Sequence, residues 1–445
     1  MMEIDYPQKV FWWISIIVLS VFICCQRSQK PSLSFTHIYD PFSGLSGQIN
    51  MDWINQRLAQ FQQAHPGLEL ELEQVKWDQI DTKIMADFRA GIRHDVVITS
   101  PQFLPKHAVI GDLLDLAPYL NWRADEVAEF SWNPVWQACQ QQGKLIGIPL
   151  GAHTRLCIYY RDMFVAAGLD PDRPPQTLEE LIEYARRLTR DTDGDGKIDV
   201  WGLGIYFGPS RATIELTFAP LLWHFGGTLW DEETKQAAFA SPAGFQAARF
   251  LSDLINTYQV TPRWVVSGTM DDVVLRPFLD GKFAMAWGWG SYWIQALQEK
   301  GLVENCFPPT PQARMTRIGL FLTPTAVQAQ FTNAWTISVH ALTRDPIASV
   351  QFIENIIQPD ALAAFPDGGL PSHLSNWQKP EYQNDFYRIW FEATRKGRSM
   401  PATAHYEELA NAVAAALQEI LVKQAPIEQT LQKFQRAYNI RYAGE

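Results

Sequence analysis

From Ser34 onward, short apolar runs alternate with longer segments whose apolar residues recur every three or four positions. "LSFTHIYDP" predicts a short strand ending in a polar turn. In "INMDWINQRLAQFQQAHPG", Ile49, Trp53, Leu58 and Phe61 predict a helix, which Pro66-Gly67 stops. "LELELEQV" alternates strictly, the pattern of a half-buried strand. "QIDTKIMADFRAG" predicts a second helix, stopped by Gly91, and the continuous apolar run of "HDVVITS" a buried third strand. Strand, helix, strand, helix, strand implies a parallel sheet with right-handed crossovers. Ligands of such sheets gather at the carboxyl ends of the strands. Those ends are Tyr39-Asp40-Pro41, Lys76-Trp77-Asp78 and Thr99-Ser100.

A second α/β unit begins near "GIPLGAHTRLCIYYRDMF" with a strand over Leu156–Tyr160. Thr177, with Glu180 three residues on, predicts a capping box at the start of "LEELIEYARRLTRD". Further on, "SPAGFQAARFLSDLINTY" predicts a helix, "FLDGKFAMAWGWGSYWIQAL" a glycine-broken strand leading into a helix, and "FTNAWTISVHA" a strand. The C-terminal stretch predicts two amphipathic helices separated near Pro426.

Between a helix and the apolar "VWGLGIYF", the stretch "DTDGDGKIDVWG" has the spacing of a calcium loop. Asp191, Asp193, Asp195, the Lys197 carbonyl and Asp199 are the candidate oxygen ligands for a structural Ca²⁺. The twelfth position, where such a loop needs a bidentate Glu, is Gly202. The other reading is an Asp/Gly turn whose side chains satisfy its own amides. No cofactor is otherwise called for.

With 445 residues, 47% of them hydrophobic and 19% charged, the chain has the composition of a globular protein with more than one core. A net charge of −11 argues against a nucleic-acid partner. Seventeen tryptophans suit either core filling or a surface that stacks on flat ligands. Residues 1–33 are a targeting segment and linker: the apolar run Val10 to Cys25, about 24 Å as a helix, falls short of the roughly 30 Å bilayer core. Its Cys24-Cys25 pair resembles the end of a lipoprotein signal, although Phe22 and Ile23 stand where small residues are usual. Lipidation at Cys24 or Cys25, or an uncleaved anchor, would tether the chain to the membrane outside the cytoplasm. The widely separated Cys139, Cys157 and Cys306 offer no disulfide framework or zinc spacing and read as buried apolar side chains.

Several stretches in order, "IPLGAHTRLCIYYRDMF", "TLEELIEYARRLT" with "DTDGDGKIDVWGLG", "FGGTLWDEE", "FLDGKFAMAWGWGSYW", "FTNAWTISVHALTRDPIASVQFIENI" and "GGLPSH", carry a resemblance. From about Ser34 to its C-terminus the chain resembles the extracellular solute-binding proteins of sugar-type ABC importers, the family that includes maltose-binding protein. The resemblance implies an α/β fold of two lobes with a hinge, the type II periplasmic-binding-protein fold, each lobe a mainly parallel sheet flanked by helices. Lobe I would hold residues 34–151 and about 330–380, lobe II 152–329 and about 381–445. Crossings are expected near Ala152, near Gln330 and around Tyr382 to Trp390. A periplasmic monomer would close on a sugar or related polyol and deliver it to ABC permease subunits.

A sugar site needs flat aromatics for C–H faces and carboxylates, amides or Arg for hydroxyls. The candidates are Asp40, Phe42, Trp77, Asp78, Ser100, Arg155, Trp230, Trp289, Tyr292 and Tyr406. Trp289 stands where the resemblance implies a ligand-stacking Trp after a Gly-rich break, with the register against Trp287, Tyr292 and Trp293 open. Each candidate has a plainer reading: helix capping for Asp78, a hinge ion pair for Arg155, packing for Trp230 and Tyr406. A sensor or scaffold of the same fold is the alternative function. A secreted glycan-active enzyme is the other, but the acidic pairs Glu179-Glu180, Asp271-Asp272 and Glu407-Glu408 are adjacent residues, which face different ways on a helix. No nucleophile elbow, zinc motif or phosphate loop is present.

Overall fold

The structure, a computed structural model, describes residues 31–40, 44–120, 122–328, 330–363 and 370–442. The apolar run Val10 to Cys25, with Cys24 and Cys25, lies outside them, as does Phe42; Ser32 and Leu33, expected in the linker, belong instead to the first strand. Strands of the two larger sheets are β1 (Ser32–His37), β2 (Glu69–Gln74), β3 (Val96–Thr99), β4 (Ile148–Pro149), β5 (Arg155–Tyr160), β6 (Trp201–Gly204), β7 (Phe283–Gly290), β8 (Ile318–Phe321) and β9 (Thr336–Val339). The helices that matter most are α1 (Gly44–Ala64), α2 (Ile80–Arg89), α3 (Leu178–Leu188), α4 (Pro242–Asn256), α5 (Pro346–Ile356), α6 (Asp385–Lys396), α7 (Tyr406–Lys423) and α8 (Ile427–Tyr442).

The first sheet has the order β2-β1-β3-β9-β4 and the second β8-β5-β7-β6. Both are mixed, which corrects the expectation of mainly parallel sheets. In the first, β1 runs parallel to β2 and β3, but β9 is antiparallel to β3 and β4. In the second, β5 is antiparallel to β7 and β8, and only β7 and β6 run parallel. The reason is connectivity: β9 enters the first sheet on the chain's return from the second core, so it arrives from the opposite end.

Each sheet has its own core. Phe35, Ile54, Ile84, Ile98, Ile337 and Phe352 belong to the first, and Ile158, Leu181, Phe207, Phe278, Met285 and Leu417 to the second. Strand β2 is an edge strand, so its alternating leucines gain cover on one side only, and Leu72 stays 41% exposed. Along the chain, Leu150 packs in the first core and Ala152 in the second, Phe331 in the second and Ala334 in the first. Leu362 packs in the first core, whereas Leu370, Trp377 and Tyr382 pack in the second. The last passage therefore precedes Leu370 rather than falling around Tyr382 to Trp390, because Trp377 packs tilted against Phe391 and Tyr382 edge-on against Tyr387 of α6.

Local signals hold closely. The Thr177 hydroxyl accepts from the Glu180 amide at the start of α3, while the Glu180 carboxylate accepts from the Gln176 amide, one residue before the cap. Ser241 caps α4 before Pro242, and Pro426 separates α7 from α8. Cys139, Cys157 and Cys306 are free and buried, their thiols pushed up by burial, Cys306 to about 12.

Gly202 joins this packing to the aspartate loop. A Cβ built there would lie 2.0 Å from the Ala185 carbonyl oxygen, so α3 sits directly on the β6 backbone. The side chain that a calcium loop needs at its twelfth position has no room. Gly202→Ala should destabilise the protein by about 1–3 kcal/mol, the cost of forced overpacking, in urea denaturation. An unchanged midpoint would contradict this contact.

Candidate ligand-binding cleft

Between the two sheets lies a cleft of about 930 Å³, within the size range of small-molecule sites. The first sheet contributes its carboxyl ends: Tyr39 and Asp40 beyond β1, Lys76, Trp77 and Asp78 beyond β2, and Ser100 beyond β3. The opposite wall carries Arg155, Arg211, Glu215, Asp271, Tyr292 and Trp293. His153, Phe331, Asn333 and Trp335, on the segments that join the two cores, form the floor.

Of the ten candidates read from the sequence, Asp40, Trp77, Asp78, Ser100, Arg155 and Tyr292 line this cleft. Asp78 does not cap α2, whose N-cap residue is Gln79. Trp77 is 55% exposed, with the Arg211 guanidinium 5.6 Å from its ring.

Three candidates do not line it. Trp289 is fully buried, its ring 5.0 Å from Phe278. The cause is its place on β7, which is flanked by β5 and β6 and covered on both faces. The strand is irregular between Ala286 and Trp289, where Gly288 takes a φ of +79°. Trp287 is buried as well and donates its indole N–H to the Leu216 carbonyl at 2.8 Å. Only past Gly290 does the chain leave the sheet and bring Tyr292 and Trp293 to the cleft. Trp230 packs against Tyr438 of α8, 6.5 Å between rings. Tyr406 is 2% exposed; it acts from behind the wall, donating its hydroxyl to Glu215 at 2.8 Å.

Glu215 is one of the residues that sequence reasoning missed. It sits in a π-helical turn, Ile214–Phe218, which precedes Pro220. Pro220 has no N–H, so the Leu216 carbonyl is left for the Trp287 indole. The Glu215 carboxylate accepts from Tyr406 and, across the cleft, from Gln102 at 3.4 Å, with Arg211 at 3.8 Å. Burial opposes the Arg211 charge, but Glu215 outweighs it and the guanidinium pKa rises. Burial, and then the Glu215 charge, push the Tyr406 hydroxyl well above its ordinary range. A second π-helical turn, Asp271–Leu275 before Pro277, places Asp271 on the cleft. No spacing rule flags such turns. The available hint was Pro following a polar–apolar run by a few residues.

Ser100 is held from behind. Its amide and hydroxyl donate to the two oxygens of Asp81 at 3.0 and 2.6 Å. Asp81 also takes His107 Nε2 at 3.1 Å, and His107 Nδ1 meets Asp112 at 2.9 Å. All three are buried. Burial works against the imidazolium, but Asp112 and Asp81 overcome it and raise the His107 pKa to about 9.

The aspartate loop lies elsewhere. Asp191, Asp193 and Asp195 can bring one carboxylate oxygen each within 4.8 Å of one another. Each already accepts from the loop's own amides: Asp191 from Gly194 and Gly196, Asp193 from Asp195, Asp195 from Lys197. Asp199 accepts from the Thr192 amide and hydroxyl. These bonds lower the Asp191 pKa, the Gly196 amide foremost.

Residues 46–363 match the sequence model of the bacterial extracellular solute-binding proteins. A binding protein of Brucella abortus is 22% identical over 363 residues, covering 81% of this chain and 82% of its own. The sn-glycerol-3-phosphate-binding periplasmic protein of Escherichia coli is 34% identical over 86 residues, 19% of this chain and 20% of that protein. An ABC transporter solute-binding protein from Thermotoga lettingae, bound with alpha-D-tagatose, superposes with a TM-score of 0.75 at 21% identity, covering 92% of this chain and 99% of that one. The sugar-binding protein MalE of Xanthomonas citri gives 0.74 at 17% identity, covering 92% and 96%. The fold is thus the two-lobed type II periplasmic-binding architecture.

His107→Gln should cost about 3–5 kcal/mol in urea denaturation near neutral pH, because it strands two buried carboxylates. The folded pKa of about 9 stands above the ordinary 6.5, so the imidazolium's contribution is fully present below 6.5 and fades as pH rises through 9. The difference between wild type and variant should shrink across that window. A difference that stays flat would show that His107 is neutral in the fold.

Proposed function

The chain belongs to the bacterial extracellular solute-binding proteins, and we propose that its cleft binds a sugar or oligosaccharide outside the cytoplasmic membrane and delivers it to an ABC-type permease by hinge closure. The observation that carries this is the pairing of cleft-lining rings, two exposed and two half-buried, with polar groups from both lobes. Trp77, Tyr292, Trp293 and Trp335 offer faces for C–H groups, and Asp40, Asp78, Asp271 and Asn333 offer partners for hydroxyls. A ligand that touches both walls favours the closed state, which is the shape a permease can recognise. The tagatose-bound relative supports the ligand class.

On this reading the protein is a monomer that binds without catalysis. It is tethered by a lipid on Cys24 or Cys25 or by an uncleaved N-terminal anchor. The aspartate loop is a self-closed turn rather than a sensor. The same fold serving as a ligand sensor would bind the same solute, but a receptor kinase rather than a permease would respond to it.

A panel of sugars and polyols should contain at least one that raises Tm and shifts tryptophan fluorescence. No shift across the panel, together with turnover of any glycoside, would overturn the reading. Tyr292→Ala should weaken binding of that sugar about tenfold with the fold intact, as expected for loss of a stacked ring. Trp289→Ala should instead destabilise the fold by about 3–5 kcal/mol, since it empties a core position. Millimolar Ca²⁺ should leave Tm unchanged; a rise abolished by Asp191→Asn would assign an ion to the loop.

A further inference from the structure

Arg155 opens β5 at the point where the chain has just entered the second core, and its side chain lines the cleft. It is only 7% exposed. Its guanidinium carbon lies 5.0 Å from the Tyr292 ring centre and 5.9 Å from that of Phe331, both within cation–π range. Nη1 donates to the Thr154 carbonyl at 3.1 Å, the one acceptor that the guanidinium meets among the described residues. Nε is buried and has no partner.

Arg57 is likewise buried without an ion pair among the described residues, but it lies outside the cleft; the arginines nearer to Arg155 in the chain and in the cleft are differently placed. Arg161, Arg211 and Arg317 each face a carboxylate: Asp172 at 2.7 Å, Glu215 at 3.8 Å and Asp162 at 2.8 Å. Those first and last pairs lie on the surface, where pairing is worth little. Arg155, far more enclosed, is absent from every ion pair of the described residues. Two aromatic faces screen it from water, and a neutral backbone carbonyl is a weak substitute for a counter-charge. A guanidinium fork is also the group best shaped to take a carboxylate or phosphate through two parallel hydrogen bonds. Arg211, the other arginine of the cleft and only partly buried, is already matched by Glu215 and has less to offer an anion.

Resting on the reading of the cleft as a solute site, we propose that the transported solute carries an anionic group, a carboxylate or a phosphate, and that Arg155 is its counter-ion. The neutral hydroxyls of the same solute are left to Asp40, Asp78 and Asn333, and its C–H faces to the aromatic rings. The solute is then an acidic sugar or a sugar or polyol phosphate rather than a neutral oligosaccharide.

The test is calorimetric titration and thermal shift of the soluble chain with matched probes: glucose and maltose as neutral sugars, glucuronate and gluconate as carboxylates, glucose 6-phosphate and glycerol 3-phosphate as phosphates. Wild type should bind at least one acidic probe about 10–100-fold more tightly than its neutral counterpart, the value of a charged hydrogen bond. The arm that responds identifies carboxylate or phosphate. Arg155→Met, which keeps the stem between the two rings, should erase that preference, and Arg155→Lys should restore part of it. Wild-type discrimination needs no variant, so a poorly folding variant does not remove the test. Binding of neutral sugars alone, or an acid preference that survives in folded Arg155→Met, overturns this proposal and leaves the sugar reading standing. Silence from every probe counts against both.

Discussion

The cleft depends on a short stretch of paired backbone where the chain passes between its two cores. His153 and Asn333 exchange hydrogen bonds in both directions, at 2.7 and 2.9 Å. Beside them the Thr154 and Thr332 hydroxyls meet at 2.9 Å, and the Ala152 amide donates to the Leu370 carbonyl at 3.0 Å. These bonds tie three passages of the chain into one narrow waist. Two cores joined at this waist leave a gap between their sheets, and that gap is where the carboxyl ends of β1, β2 and β3 open. The waist also places Phe331 next to Arg155, since each lies two residues from the His153–Asn333 pair.

Behind the cleft walls, buried side chains hold the cleft-lining ones in position. On one side, Asp81 and His107 fix Ser100. On the other, the Trp287 indole and the Tyr406 hydroxyl fix the π-helical turn that presents Glu215. In both places a group buried away from water leaves the cleft-lining group few alternatives, which suits a site that must recognise a small polar molecule without rebuilding itself. Gln102 and Arg211 reach over from opposite lobes to meet Glu215 or the rings of Trp77 and Phe103. The two walls therefore touch each other through the same residues that face the solute.

Much of this was legible one element at a time. The cap at Thr177, the stop at Pro66-Gly67 and the break at Pro426 are local events, set by side-chain and backbone chemistry within a few residues. Strand ends such as Asp40, Trp77 and Ser100 could be assigned to the cleft because a βαβ order dictates where strand ends point. Aromatic residues resisted the same treatment. Trp289 and Tyr292 stand three residues apart, and what separates a core ring from a cleft ring is whether the chain has left the sheet. Trp230 depended on α8, more than 190 residues away, to cover it. Glu215 and Asp271 gave no signal because the widened helical turns that bring them to the cleft come from packing around a later proline.

The aspartate loop shows the same division at a single site. By itself the sequence determined that Asp191 to Asp199 would be a polar connection between a helix and a strand, with carboxylates at alternate positions, while leaving a calcium loop and a self-closed turn both open. It also determined two α/β units, their order and the strand ends that carry polar groups, because periodicity and turn chemistry act over short distances. Only the tertiary structure decided that the Gly202 position is filled by the Ala185 carbonyl, that β9 joins the first sheet antiparallel, and that Arg155 is enclosed without an ion pair among the described residues. Those outcomes depend on which distant segments share a volume, and no local pattern of apolar and polar residues encodes that.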